Sequence, residues 1–165
     1  MRFAGLTILS FVVMEIFSYA VHRWLFHGVL WRVHQTHHQS SKFFLELNDV
    51  FSIVFAFVSI GLMLFAEKPL LDSLAFPMGL GIAIYGFVYF ITHDFFTHRR
   101  FLPFKSTNKI LLTIRHAHQR HHQTTEKTGI EPFGLFVFDY AKFGAGIKRE
   151  KTRSETNKDV EKLSV

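Results

Sequence analysis

Ten of the eleven histidines fall into four short blocks: His22 and His27; His34, His37 and His38; His93 and His98; His118, His121 and His122. HxxxxH followed by HxxHH therefore occurs twice. A neutral imidazole is a common ligand for zinc, copper, iron and nickel, and ten brought together would form a metal centre. A single ion cannot use ten ligands. Two ions could take about five each and leave positions open for oxygen or solvent.

At about 100° per residue, His34, His37 and His38 cover roughly a 100° sector of one helix, as do His118, His121 and His122. Adjacent histidines point apart, so each neighbouring pair could serve different ions, which favours a dinuclear site. The HxxxxH pairs differ by about 140° on an ideal helix, so a helix end or distortion is expected at each. His116 lies two residues before His118, on the far side of the same helix, and is expected to be a non-ligand.

Elements that position these blocks follow from the apolar runs. Phe3 to Val21 carries one charge, Glu15, while Val50 to Ala66 and Leu74 to Thr92 carry none. The runs are long enough to approach or span a hydrocarbon core about 30 Å thick, the second being short. The stretch from Leu70 to Phe76 joins the last two as an antiparallel hairpin with Glu67, Lys68, Pro69 and Asp72 at its wet tip. Gly79, Ala83 and Gly86 make a smooth stripe for close packing or for a flat ligand. Ser18-Tyr19-Ala20 resembles a signal-peptide cleavage site, but the basic start is minimal and cleavage would remove the helix that holds His22.

Lys and Arg number 19 against 13 acids, and fourteen of the basic residues lie in residues 93 to 165. Arg23, Arg32 and Lys42 sit between the first two runs, and only Arg2 and Lys68 lie opposite. The positive-inside rule then places the N-terminus outside and all ten histidines in the cytoplasm with the C-terminus. The basic balance comes with no nucleic-acid recognition motif, so no nucleic-acid partner is expected. Cysteine is absent, which excludes thiolate chemistry and sulfur-ligated clusters; electrons must come from outside. The two halves repeat apolar run, HxxxxH and HxxHH in the same order, each supplying five histidines. The expected fold is an all-α integral membrane bundle of three or four transmembrane helices with a cytoplasmic helical cap carrying the dimetal site. Residues 1–143 form one membrane-embedded domain, and residues 144–165 form a charged, disordered tail.

A purely structural metal needs only four ligands. Two metals beside an apolar bundle point instead to oxygen activation on a lipid-soluble substrate, chemistry that iron supports and zinc does not. The segment Phe44-Leu45-Glu46-Leu47-Asn48-Asp49-Val50-Phe51, the stretch from Tyr89-Phe90-Ile91-Thr92-His93-Asp94 to His98-Arg99-Arg100-Phe101, and Ala117-His118-Gln119-Arg120-His121-His122 resemble the bacterial carotenoid β-ring 3-hydroxylases. Glu131-Pro132-Phe133-Gly134-Leu135-Phe136 is similar to the stretch that follows the last histidine block in those enzymes. The histidine pattern alone marks only the wider fatty-acid hydroxylase superfamily. The resemblance covers about residues 15 to 140 and implies a non-haem di-iron monooxygenase. It implies hydroxylation at C3 of the β-ionone rings of β-carotene, to β-cryptoxanthin and zeaxanthin, with O2 and a ferredoxin-type electron donor. The ten histidines carry over as ligands to two Fe ions, which zinc can replace in purified protein. Asp94, Asp49, Asn48, Glu131 and Asp139 are candidate partners of the ligands' outer nitrogens. Glu15 is a costly carboxyl within a span, on the His22 face, where it could carry protons, orient a ligand or simply pack. Tyr89 is one turn before His93 and reads as an interfacial anchor or a neighbour of the site. Two other functions fit the residues: a fatty-acyl or sterol hydroxylase or desaturase with the same metal core, and a non-catalytic metal-binding membrane protein.

Overall fold

A computed structural model describes residues 1–39 and 45–144. The expected tail, from residue 145 on, lies outside the described residues, as do Lys42 and Phe44. Every regular element among the described residues is helical. α1 spans Arg2–Ala20, α2 Trp31–His38, α3 Asp49–Leu64, α4 Ala75–Phe90 and α5 Lys109–His121.

α1 and α4 do not stop where their α-helical geometry ends. Each widens into a π-helical segment, Val21–Val29 after α1 and Ile91–Thr97 after α4. The amide of Leu30 donates to the Leu25 carbonyl at 2.9 Å, and that of His98 to the His93 carbonyl at 2.8 Å, both across five residues. Bonding to i+5 widens the turn and brings residues five apart closer in direction, which reduces the mismatch of about 140° in HxxxxH. This is the distortion that the spacing called for. Gly28 then leaves helical geometry altogether, at φ −114° and ψ −116°, and the chain turns into α2.

α4 is the central helix. Phe3 packs on Phe76 and Phe11 on Tyr85, ring centroids 6.1 and 5.5 Å apart, so α1 runs parallel to α4 with both π segments at the same end. On its other side the Ser59 hydroxyl of α3 donates to the Gly79 carbonyl at 2.8 Å, closing the antiparallel α3–α4 hairpin. A Cβ on Gly79 would lie 2.8 Å from the Ser59 carbonyl oxygen, and one on Gly81 would collide with the carbonyl of Thr7. Glycine therefore lets α4 approach both neighbours. The stripe noted in the sequence divides: Gly79 packs on α3, whereas Ala83 and Gly86 face a cavity.

Two continuous helices, Arg2–Val29 and Ala75–Thr97, are long and apolar enough to cross a membrane. The third expected span is α3, whose sixteen residues rise about 24 Å, short of a core about 30 Å thick. Large apolar side chains face outward on all three, among them Ile8 at 65%, Phe57 at 72% and Phe87 at 66% exposure. Such continuous apolar exteriors are uncommon on soluble monomers.

Candidate metal centre

The histidines gather at the end of the bundle where α1 and α4 widen. The ligand-capable nitrogens of His22, His27, His34, His38 and His121 lie within 4.8 Å of one another, as do those of His37, His93, His98 and His118. His122 joins neither set by that measure but touches both: its ring lies 4.5 Å from His118, 4.7 Å from His98 and 4.3 Å from His38. The neighbours His37 and His38 fall into different sets. The middle histidine of each HxxHH crosses over, His121 into the first set and His37 into the second, as a pseudo-twofold relation between the halves requires.

Seven of the ten outer nitrogens are anchored. His22 donates from Nδ1 to the Phe133 carbonyl at 2.6 Å, His27 to Lys127 at 3.0 Å, His38 to Thr124 at 3.0 Å and His121 to Ile130 at 2.6 Å. His34 donates to Asn48 Oδ1 at 3.0 Å and His37 to Glu46 Oε2 at 2.7 Å. Asp94 Oδ2 lies 3.3 Å from His93 Nδ1. Carbonyl oxygens only accept, so the rings they anchor carry the proton on Nδ1 and turn a bare Nε2 inward. Those inner nitrogens crowd: His22 to His34 is 2.9 Å, His34 to His38 and His27 to His121 are 3.2 Å, and His98 to His118 is 2.8 Å. Facing lone pairs at such distances repel unless a cation lies between them. Imidazoles bound at about 2.0–2.1 Å to one ion, at right angles, stand about 2.9 Å apart. Nε2 of His93 and of His122 is buried with no hydrogen-bond partner. The donor set thus fits two metal ions.

Burial holds the rings neutral. It lowers His34 to about 3, His121 to about 3 and His38 to about 4. His37, His98, His118 and His122 are driven well below the usual range by burial first and by one another's rings second. Neutral imidazole is the metal-binding form.

The two sets have different surroundings. The turn after α5 wraps the first with four backbone carbonyls, at Thr124, Lys127, Ile130 and Phe133. Gly129, at φ +62°, permits this turn, and a Cβ there would lie 2.7 Å from His27 Nδ1. Around the second set stand carboxylates. Arg100 clamps Asp49 through two nitrogens, at 2.6 and 3.0 Å, binds Asp94 at 2.7 Å and lies 3.6 Å from Glu46. Burial raises Glu46 against the pull of Arg100; it works the same way on Asp49, where the Arg100 guanidinium and the Glu46 N–H outweigh it and hold the carboxyl low.

Among the polar side chains singled out by sequence, Asp94 and Asn48 touch histidines, and Asp49 reaches the site through Arg100. Glu15 is buried and touches no histidine in these bonds: its Oε1 accepts from the amides of Phe136 and Val137 at 2.8 and 2.9 Å, and its Oε2 from the Tyr85 hydroxyl at 2.9 Å. It thereby pins the segment whose Phe133 carbonyl holds His22. Glu131 is exposed and binds Tyr19 at 3.0 Å and Arg23 at 3.1 Å. Asp139 accepts from the Lys142 amide and caps the turn at residues 140–144. Tyr89 stacks on His93 at 4.7 Å instead of serving as an outward anchor, and His116 lies against Phe143, away from both sets. Glu46 and Arg100 escaped sequence reasoning. Glu46 shares its short stretch with Asn48 and Asp49, a signal that could have found it, whereas backbone carbonyls leave no mark in residue identity.

Below the histidines, α1, α3 and α4 enclose a cavity of about 450 Å³, within the size range of small-molecule sites. His22 and His34 of the first set and His37, His93 and His118 of the second form its head, while Phe55, Ile60, Met63 and Ile82 are among its apolar walls.

A helical bundle that closes an apolar cavity with two nests of neutral, anchored imidazoles defines a class, the histidine-rich metal-binding membrane-type helical proteins. The chain belongs to the fatty acid hydroxylase family, whose sequence pattern matches residues 7–142. It is 33% identical to a beta-carotene hydroxylase of Pseudescherichia vulneris over 95% of this chain and 89% of that protein. It is 32% identical to a beta-carotene hydroxylase of Paracoccus sp. (strain PC1), over 90% of each. Beta-carotene 3-hydroxylase 2, chloroplastic, of Arabidopsis thaliana is 39% identical over 81% of this chain. The chain spans less than half, 44%, of that plant relative's length. No solved structure matches it.

Proposed function

We propose that this chain is a non-haem di-iron monooxygenase that hydroxylates C3 of the β-ionone rings of β-carotene, giving β-cryptoxanthin and then zeaxanthin. O2 and electrons from a ferredoxin-type donor are consumed. The observation that carries the reading is the apolar cavity headed by both histidine sets. The named activities of the bacterial and plant relatives support the substrate.

His22, His27, His34, His38 and His121 would hold one iron, and His37, His93, His98, His118 and His122 the other. When bound, the irons supply oxygen activation and hydrogen abstraction from the ring carbon. The chain's own part is positional. Carbonyls of the 124–133 turn, with Asn48, Glu46 and Asp94, fix the tautomer and direction of seven of these imidazoles. The walls formed by α1, α3 and α4 exclude water and hold a ring carbon beneath the histidines. Glu15 keeps Phe133, Gly134 and Leu135 in the cavity wall. α1, α3 and α4 lie in the bilayer with the N-terminus outside and the histidine cap in the cytoplasm. Residues 1–143 constitute the hydroxylase domain, and 144–165 a charged tail.

Expression in cells that accumulate β-carotene, followed by pigment chromatography, tests this directly. β-Cryptoxanthin and zeaxanthin should accumulate, and absence of both in cells that contain the folded, iron-loaded protein would sink the proposal. The family's description favours one second reading, hydroxylation of fatty-acyl chains; lipid analysis of the same cells would then show hydroxylated lipid and unchanged carotene. Reductant- and substrate-dependent O2 uptake separates either enzyme from a non-catalytic metal binder.

A further inference from the structure

α4 packs along α1 on one side and along α3 on the other, yet among the described residues α1 and α3 make no backbone contact with each other. The cavity lies in the cleft between them. Side chains bridge that cleft. Phe26 meets Phe51 near the histidines, with ring centroids 4.4 Å apart, and Phe17 meets Phe55 edge-on at 5.4 Å. Phe17 lines the cavity and is also 44% exposed; Ser52 and Ala56 of α3 likewise line it and are exposed. Residues that belong both to the inner wall and to the outer surface mark an opening.

Its depth decides what the opening faces. Phe17 is five residues before His22, and Phe55 six residues after Asp49, so the pair lies about 8–9 Å from the histidine level toward the apolar end. Flanking residues Val13, Ile16, Val54 and Val58 are apolar and exposed. An aqueous mouth would not be framed so.

We infer that apolar substrate enters sideways from the bilayer through the cleft between α1 and α3, with Phe17 and Phe55 as its gate. This rests on the proposed function. The occupant is one terminal ring of the carotenoid, seated beneath the histidines, while the polyene trails through the cleft into lipid. The ring never crosses water. An edge-on phenyl pair yields to a flat hydrocarbon by rotamer changes alone, because no backbone contact must break.

The absence of cysteine permits a clean test. Phe17→Cys, Phe55→Cys and, as an outer-face control on α1, Ile8→Cys are made singly in the full chain, iron-loaded and placed in phosphatidylcholine vesicles. Each thiol is reacted with pyrene maleimide with and without β-carotene. β-Carotene should slow labelling at positions 17 and 55 several-fold and leave position 8 unchanged, a readout that needs binding but not turnover. After labelling, the two gate variants should lose about tenfold or more of their turnover, and the Ile8→Cys variant should stay within about twofold. Equal labelling with and without β-carotene at both gate positions, or full turnover after labelling them, overturns lateral entry. Gate variants that label and are protected as expected, while the unsubstituted protein forms no hydroxylated carotenoid, would instead count against the proposed function and leave the portal standing.

Discussion

Seven of the ten clustered histidines are used twice, once outward to an acceptor and once inward toward the metal centre. Replacing any of the ten with Ala should abolish hydroxylation and lower bound iron, measured by metal analysis, whereas His116→Ala should keep most of both, since that ring lies against Phe143. Removing an outer partner is gentler. Glu46→Gln and Asp94→Asn should weaken metal binding at the second set about 10–100-fold, with the protein still folded, because the imidazole loses its anchor but not its nitrogen. Competition with a chelator followed by metal counting reads this. Acid provides a third test. His34, His38 and His121 are held at about 3 to 4, below the usual value of about 6.5, by burial. Above pH 6.5 neither folded nor unfolded chain protonates them. Below it the unfolded chain takes up protons that the folded chain refuses, so stability falls as the pH drops from about 6.5 toward 3. The thermal midpoint of the metal-free protein should fall across that window, and a midpoint unmoved between pH 7 and 5 would refute it. The histidine identities were readable in the sequence, as were Asp94 and Asn48 by proximity. Arg100 was not, because a charge pair formed across fifty residues leaves no local pattern, and Glu46 was missed although it shares a short stretch with Asn48 and Asp49.

The helices carry the next level of constraint. An α-helix would send His22 and His27 about 140° apart, and the π segments ease that conflict at both HxxxxH motifs. Spacing alone asked for a distortion without specifying it. Glycine sets how α4 meets its neighbours, and two substitutions there should differ in kind. Gly81→Ala drives a Cβ into the Thr7 carbonyl, so the fold should lose about 1–3 kcal/mol, seen as earlier thermal unfolding in detergent. Gly86→Ala meets nothing within 4 Å and faces the cavity, so stability should hold while carotene turnover slows. In sequence the two glycines are equivalent, five residues apart in one apolar run. Only the neighbours of α4 distinguish them.

For the molecule as a whole, the proposed placement of α1, α3 and α4 in a bilayer would cover their apolar exteriors with lipid. The protein should remain with membranes through alkaline carbonate extraction, and release into the soluble fraction would contradict the membrane reading. Parallel α1 and α4, each ending in a widened turn and followed by a short histidine helix, bring two remote halves of the chain to one end. Sequence by itself determined the ligand-capable residue types, the helical class, the apolar runs and the duplicated order, since each depends on composition and local periodicity. Tertiary structure alone decided that His37 and His121 exchange sides, that backbone carbonyls anchor four of the rings, and that α1 and α3 stand apart around a cavity. Those outcomes depend on which surfaces meet across long stretches of chain, and no local spacing records that.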